Sequence, residues 1–116
     1  EKTAFRVSEA FGLGIAKRYE MCGSVCGMMM LAGLENSDGE LKNPKTKQST
    51  FTLGHDMCRV FEEWNSSCEC NVLRGSDGVT DRIRSCRGCV ADCARIVEYM
   101  LFPNTFEPYK PRDPKE

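Results

Sequence analysis

Eight cysteines in 116 residues, most of them a few positions from another, set the terms on which this chain can fold. They stand at Cys22-Gly23-Ser24-Val25-Cys26, at Cys58, at Cys68-Glu69-Cys70, and at Cys86-Arg87-Gly88-Cys89-Val90-Ala91-Asp92-Cys93. Such clustering calls for a chemical account: structural disulfides, a metal or iron–sulfur site, or thiol redox exchange. Length weakens the first. A chain of this size closes a hydrophobic core as one domain without cross-links to hold it.

Charge narrows the partners. With 16 Lys plus Arg against 17 Asp plus Glu, no global field draws nucleic acid or an anionic membrane surface. No uninterrupted apolar run approaches the roughly 20 residues of a membrane span. Glu1-Lys2-Thr3 lacks the parts of a signal peptide, so the expectation is a soluble, cytoplasmic protein without membrane insertion.

Apolar spacing is helical throughout. Phe5, Ala10, Phe11, Ile15 and Tyr19 predict a first helix, although Gly12 and Gly14 within it cost about 1 kcal/mol each relative to Ala. From Met21 to Leu34 the residues are small or apolar almost all round, which predicts a buried second helix at the centre of the core. Residues 35–47 read as a surface loop, with Asn43-Pro44 as cap and first turn of the next helix. Leu53, Met57, Val60, Phe61 and Trp64 mark a third, amphipathic helix. Residues 65–84 carry turn punctuation and read as loop with one short turn. Cys89, Val90, Cys93, Ile96, Val97, Met100 and Leu101 give a last helix that begins near Cys86 and is stopped by Pro103. The expected fold is therefore all-α: a small bundle of about four helices with a cysteine-rich interior over residues 1–102. A Pro-rich, charged, extended tail is expected over 103–116.

On this map Cys22 and Cys26 lie one turn apart on the second helix, while Cys86, Cys89 and Cys93 follow one face of the last. Cys68 and Cys70 sit on the loop between, within reach of Cys86. Three distant segments thus offer thiols to one interior, as a soft metal or cluster needs. The plainer reading is that Cys26, Cys58, Cys89 and Cys93 are packed core residues. Gly23 and Gly27, at i and i+4, clear a helix stripe for another backbone or a bulky cofactor beside Cys22; helix packing alone accounts for them equally well. Cys86, at a helix start with Arg82, Arg84 and Arg87 nearby, is placed for a stabilised thiolate, unless those arginines are simply solvated.

Cys22-Gly23-Ser24-Val25-Cys26-Gly27 resembles the Cys-Gly-Ala-x-x-Gly signature of the C_GCAxxG_C_C family, whose members are described as redox-active, with Ser24 in place of Ala. Phe11-Gly12-Leu13-Gly14 is similar to that family's glycine-rich approach, and Met28 to Leu34 to its apolar continuation. Cys70-Asn71-Val72-Leu73-Arg74-Gly75 and Cys86 through Ala94 resemble its later cysteines and closing helix. The likeness spans roughly Phe11 to Leu101. It implies Cys22, Cys70 and Cys86 as the functional thiols, and assigns no role to Cys26, Cys58, Cys68, Cys89 or Cys93. The family's first cysteine has no counterpart here, so the sequence is either truncated or works without it.

The leading expectation is electron transfer through a cysteine-ligated iron–sulfur cluster held by Cys22, Cys70 and Cys86, with a fourth ligand from Cys26, Cys68 or Cys89 and with Gly23 and Gly27 making room. The alternatives are thiol–disulfide exchange, through Cys86/Cys89 or the Cys22/Cys70/Cys86 thiols, and structural zinc on Cys68/Cys70 and Cys86/Cys89. A redox partner protein is implied, and the six methionines would suit self-association into a homodimer or simply fill the monomer core. His55, the one histidine, reads as an exposed polar residue, and with no Ser/His/Asp constellation hydrolysis has little support.

Overall fold

A computed structural model of the chain describes residues 1–105. It contains five helices: α1 (Lys2–Ser8), α2 (Gly23–Asn36), α3 (Lys47–Asn65), α4 (Cys70–Arg74) and α5 (Cys86–Leu101), with a 3-10 turn at Glu9–Phe11. α2, α3 and α5 pack on one another as a three-helix core. The expected all-α bundle is what forms, with α1 and the one-turn α4 added to its rim. From residue 106 on, the expected extended tail lies outside the described residues.

The core follows the helical stripes. Val25, Met28 and Ala32 of α2 meet Met57 and Phe61 of α3 and Cys89, Cys93 and Ile96 of α5, with Leu73 of α4 closing the end. Each i, i+3/i+4 set buries one face of its helix. Fully burying a side chain such as Phe61 contributes about 1.5–3 kcal/mol. Two expectations need correction here. α2 is not buried all round: Met30, Leu31 and Leu34 are exposed, Leu34 to 82%. And α3 begins at Lys47 after Thr46, so Pro44 lies in the preceding loop. That loop is organised by Asp38, whose carboxylate accepts from the N–H groups of Glu40 and Lys45 and from the Thr46 hydroxyl.

The first helix is also shorter than its apolar spacing predicts. α1 ends at Ser8, and Leu13, Gly14, Ile15, Ala16, Lys17 and Tyr19 all have positive φ, between 50° and 66°. Left-handed backbone costs about 1–2 kcal/mol per non-glycine residue, so this segment is held by its surroundings. Its amides are satisfied: Ile15 N–H reaches Phe11 O, Tyr19 N–H reaches Leu13 O, and Glu20 N–H reaches Gly14 O. The glycines that weaken the right-handed helix are where the chain leaves it.

One buried polar network fixes the start of α5. Arg84, 4% exposed, forms a two-pronged ion pair with the fully buried Asp92, with Arg84 Nε to Asp92 Oδ2 and Nη2 to Oδ1 both 3.1 Å. Asn65, at the end of α3, donates to Asp92 Oδ2 at 3.0 Å, and Arg95 donates to Oδ1 at 3.2 Å. A buried carboxylate is tolerated only when so compensated. Ser85 caps α5 by accepting from the Gly88 N–H at 2.9 Å.

Candidate functional site

Two chain segments are laid side by side to build the site. The stretch before α2 pairs with the stretch before α4: Cys22 N–H donates to Cys68 O at 2.8 Å, Asn71 N–H to Tyr19 O at 3.1 Å, and Cys70 N–H to Glu20 O. Met21 and Glu69 form an antiparallel bridge. This pairing brings Cys22, the residue that opens α2, next to Cys70, the first residue of α4. The loop after α4 then returns the chain so that Ile83 N–H bonds Leu73 O, which sets the start of α5 over the same place.

The result is a cavity of about 370 Å³ onto which Cys22, Cys70, Cys86 and Cys89 all open. Arg74 and Arg84 lie on its wall, and Leu13, Leu73 and Val90 supply apolar surface. Arg74 also stacks its guanidinium over the Tyr19 ring, 4.7 Å from the centroid, tying α4 to the left-handed segment. Gly12, Gly14, Gly23 and Gly27 complete the lining. A side chain at Gly23 would strike the carbonyl of Phe11, and one at Gly14 would meet Cys70 Cβ at 2.6 Å. Gly27 differs: a methyl there meets nothing within 4 Å, so it leaves open space rather than admitting another backbone.

The thiols are electrically unequal. Cys22 is held down to about 6 by the thiol of Cys89, which donates to it, and by the backbone N–H groups of Val25 and Ser24 and the Ser24 hydroxyl, against the opposing effect of burial. Those N–H groups belong to the first turn of α2, where the helix has no side-chain cap and its donors are free. Cys89 is pushed far up, because its proton is the one shared with Cys22 and because it is buried. Burial raises Cys70 as well, with the neighbouring Cys22 and Cys86 adding to it.

Of the cysteines singled out as ligands from sequence, Cys22, Cys70, Cys86 and Cys89 come together, and Gly23 and Gly27 stand with them. Cys26 and Cys68 do not line this cavity. Cys68 lies instead against Cys58, its thiol donating to the Cys58 carbonyl oxygen at 3.7 Å. The two-pair arrangement expected for zinc, Cys68/Cys70 with Cys86/Cys89, is therefore not assembled. Among the described residues no three His, Cys, Asp or Glu side chains are grouped so as to hold one metal ion. All eight cysteines are free thiols, and only Cys86 is exposed. Arg84 corrects the picture of solvated arginines at the helix entrance: it is buried and paired with Asp92. His55 is exposed, as expected.

Among the described residues no helix is long and apolar enough to cross a membrane. No curated protein and no solved structure matches the chain. A family model does, over residues 1–100, the one described as "Putative redox-active protein (C_GCAxxG_C_C)". The match runs through all three core helices and takes in the four cysteines that line the cavity. This cysteine-rich helical chain belongs to the C_GCAxxG_C_C family.

Proposed function

We propose that the chain is an electron carrier whose four-thiol cavity holds an iron–sulfur cluster, with Cys22, Cys70, Cys86 and Cys89 as ligands. The observation that carries this reading is the convergence of four soft donors, from three separate segments, on one cavity. A cluster needs that convergence, because a single stretch of backbone rarely supplies all its thiolates. Thiols arranged around a space, with no three grouped about a point, suit a multi-atom cluster better than one zinc ion, whose sulfur ligands close to about 2.3 Å. Such a cluster, when bound, supplies electron transfer at a potential set by its surroundings.

The chain's own groups account for those surroundings. The Ser24 and Val25 N–H groups and the Ser24 hydroxyl favour the anionic form of Cys22, and donors of this kind raise the potential of a sulfur-ligated centre. Arg74 and Arg84 bring cationic groups to the wall, and Leu13, Leu73 and Val90 exclude water. Exposed Cys86 marks the side from which a redox partner protein would approach.

A second reading is favoured by one specific pair. Cys22, lowered to about 6, and the buried Cys89 share the cavity wall, the relation a dithiol uses in exchange. Oxidation of that pair would give up two electrons and two protons to a partner disulfide. The test that separates the two is an absorption spectrum of protein purified without oxygen, with iron, acid-labile sulfide and zinc assayed on the same sample. Sulfur-to-iron absorption with matched iron and sulfide is the expected result. A colourless protein lacking both sinks the cluster and leaves the dithiol, or zinc if that assay alone is positive.

A further inference from the structure

The cysteines left over from the cavity are not scattered. Cys58, half-buried on α3, and Cys68, buried beyond the end of the same helix, adjoin one another. The chain reverses between them through Ser66, whose left-handed φ of 72° ends α3 and folds Cys68 back along it. The Cys68 Sγ lies 3.7 Å from the Cys58 carbonyl oxygen and 3.8 Å from Glu62 Oε1. The Cys58 Sγ lies 3.8 Å from Met29 Sδ. An ordinary core thiol packs against hydrocarbon; here one cysteine's thiol lies against another's backbone and a carboxylate.

We propose that Cys58 and Cys68 form a second dithiol couple, separate from the cavity, that is oxidised by low-molecular-mass disulfides, with Cys58 as the attacking thiol and Cys68 as the resolving thiol. The order follows from access. Cys58 is the less buried of the two, so an incoming disulfide meets it first. The Cys58 sulfur bonds to one sulfur of the incoming disulfide, whose S–S bond breaks, and the departing thiolate takes up the Cys58 proton. Cys68, its proton passed through the neighbouring Glu62 carboxylate, then bonds to the Cys58 sulfur. The mixed disulfide breaks and the second small thiol leaves with that proton. Two electrons and two protons have moved from the Cys58/Cys68 pair to one small disulfide.

The couple also reaches the cavity mechanically. The carbonyl of Cys68 accepts the N–H of Cys22 at 2.8 Å, and Cys70 is two residues further on. A Cys58–Cys68 bond would pin the peptide that sets the distance between those two thiols.

Exchange is tested on the full chain purified without oxygen, incubated with oxidised glutathione, quenched with iodoacetamide and digested with trypsin. Cleavage after Lys47, Arg59 and Arg74 puts Cys58 in peptide 48–59 and Cys68 in peptide 60–74. The expected product is these two peptides joined, lighter by two hydrogens, with fragmentation placing the link on Cys68 and not on Cys70. In Cys68→Ser, a stoichiometric glutathione adduct should collect on Cys58; in Cys58→Ser, Cys68 should remain alkylated. The proposal is overturned if wild-type Cys58 stays alkylated after the cavity thiols have oxidised, or if it links to any other cysteine. Iron content plays no part in this readout, so it stands or falls apart from the cluster.

Discussion

The protein holds two thiol neighbourhoods that differ in where their cysteines sit along a helix. At the cavity, Cys22 opens α2 and Cys86 opens α5, with Cys89 in the first turn of α5. In the interior, Cys58 and Cys93 occupy helix bodies, and Cys26 ends the first turn of α2 with its N–H already given to the Cys22 carbonyl. A helix start has N–H groups to spare; a helix body has none, because each is already given to a carbonyl. Burial therefore dominates in the interior and pushes Cys26 and Cys93 up. At the cavity Cys22 falls to about 6 although it is only 8% exposed, first through the Cys89 thiol and then through the N–H groups of Val25 and Ser24. Depth in the core does not decide a thiol's chemistry here; the donors that meet its sulfur do. Cys58 shows the same effect without help from the backbone, lowered to about 7 by the thiol of Cys68.

The sharpest way to break this division is to remove a thiol from each side. Cys70→Ser should cost more bound iron than the roughly 10- to 100-fold loss in affinity that follows removal of an outer-shell partner, whereas Cys58→Ser should leave iron and sulfide content unchanged. Equal losses would mean that the two neighbourhoods act as one. Asp92→Ala should spare neither, since Asp92 ties Arg84 and Arg95 to the end of α3 through Asn65. Urea denaturation should read a loss of about 3–5 kcal/mol, the effect of leaving a buried charge without its partner.

Smaller effects sharpen the comparison. In metal-free, reduced protein the alkylation rate of Cys22 should rise with pH to half its plateau near 6, and that of Cys58 near 7. An unperturbed thiol does so near 8.5. Each rate falls as pH drops through its own midpoint, because the reactive thiolate is lost there. Cys26 and Cys93 should stay unmodified across that range. Ser24→Ala removes one donor to Cys22. It should slow Cys22 alkylation at pH 6 by roughly 1.6- to threefold, in keeping with a hydrogen bond worth about 0.5–1 kcal/mol.

Much of this architecture was legible in the residues. The stripes Leu53–Met57–Phe61 and Cys89–Cys93–Ile96 define α3 and α5, and the family resemblance singles out Cys22, Cys70 and Cys86, which do converge. The failures have physical causes. Apolar spacing carried the first helix through to Tyr19 because periodicity does not register handedness; the left-handed turn is closed by its own amide–carbonyl bonds and by pairing with α4. The Arg84–Asp92 pair joins residues on either side of a turn, but a signal existed: Asp92 interrupts the apolar stripe of α5 between Cys89 and Cys93, and a carboxylate there has to find a cation. The Cys58–Cys68 pair was not readable, since their meeting depends on one left-handed residue, Ser66.

The left-handed segment has a consequence for the order of assembly. Its local preference opposes its final shape, and its carbonyls at Tyr19 and Glu20 are engaged by the amides of Asn71 and Cys70, so it can close only after α4 has docked. Until then Cys22 and Cys70 face solvent, and the cavity they line is open for loading. Pulsed hydrogen exchange during refolding would read this directly: the amides of Ile15, Lys17 and Tyr19 should gain protection after those of α2 and α5, and simultaneous protection would reject the sequence of events. On this view the strained turn acts in time as well as in space, a door that the rest of the fold shuts last.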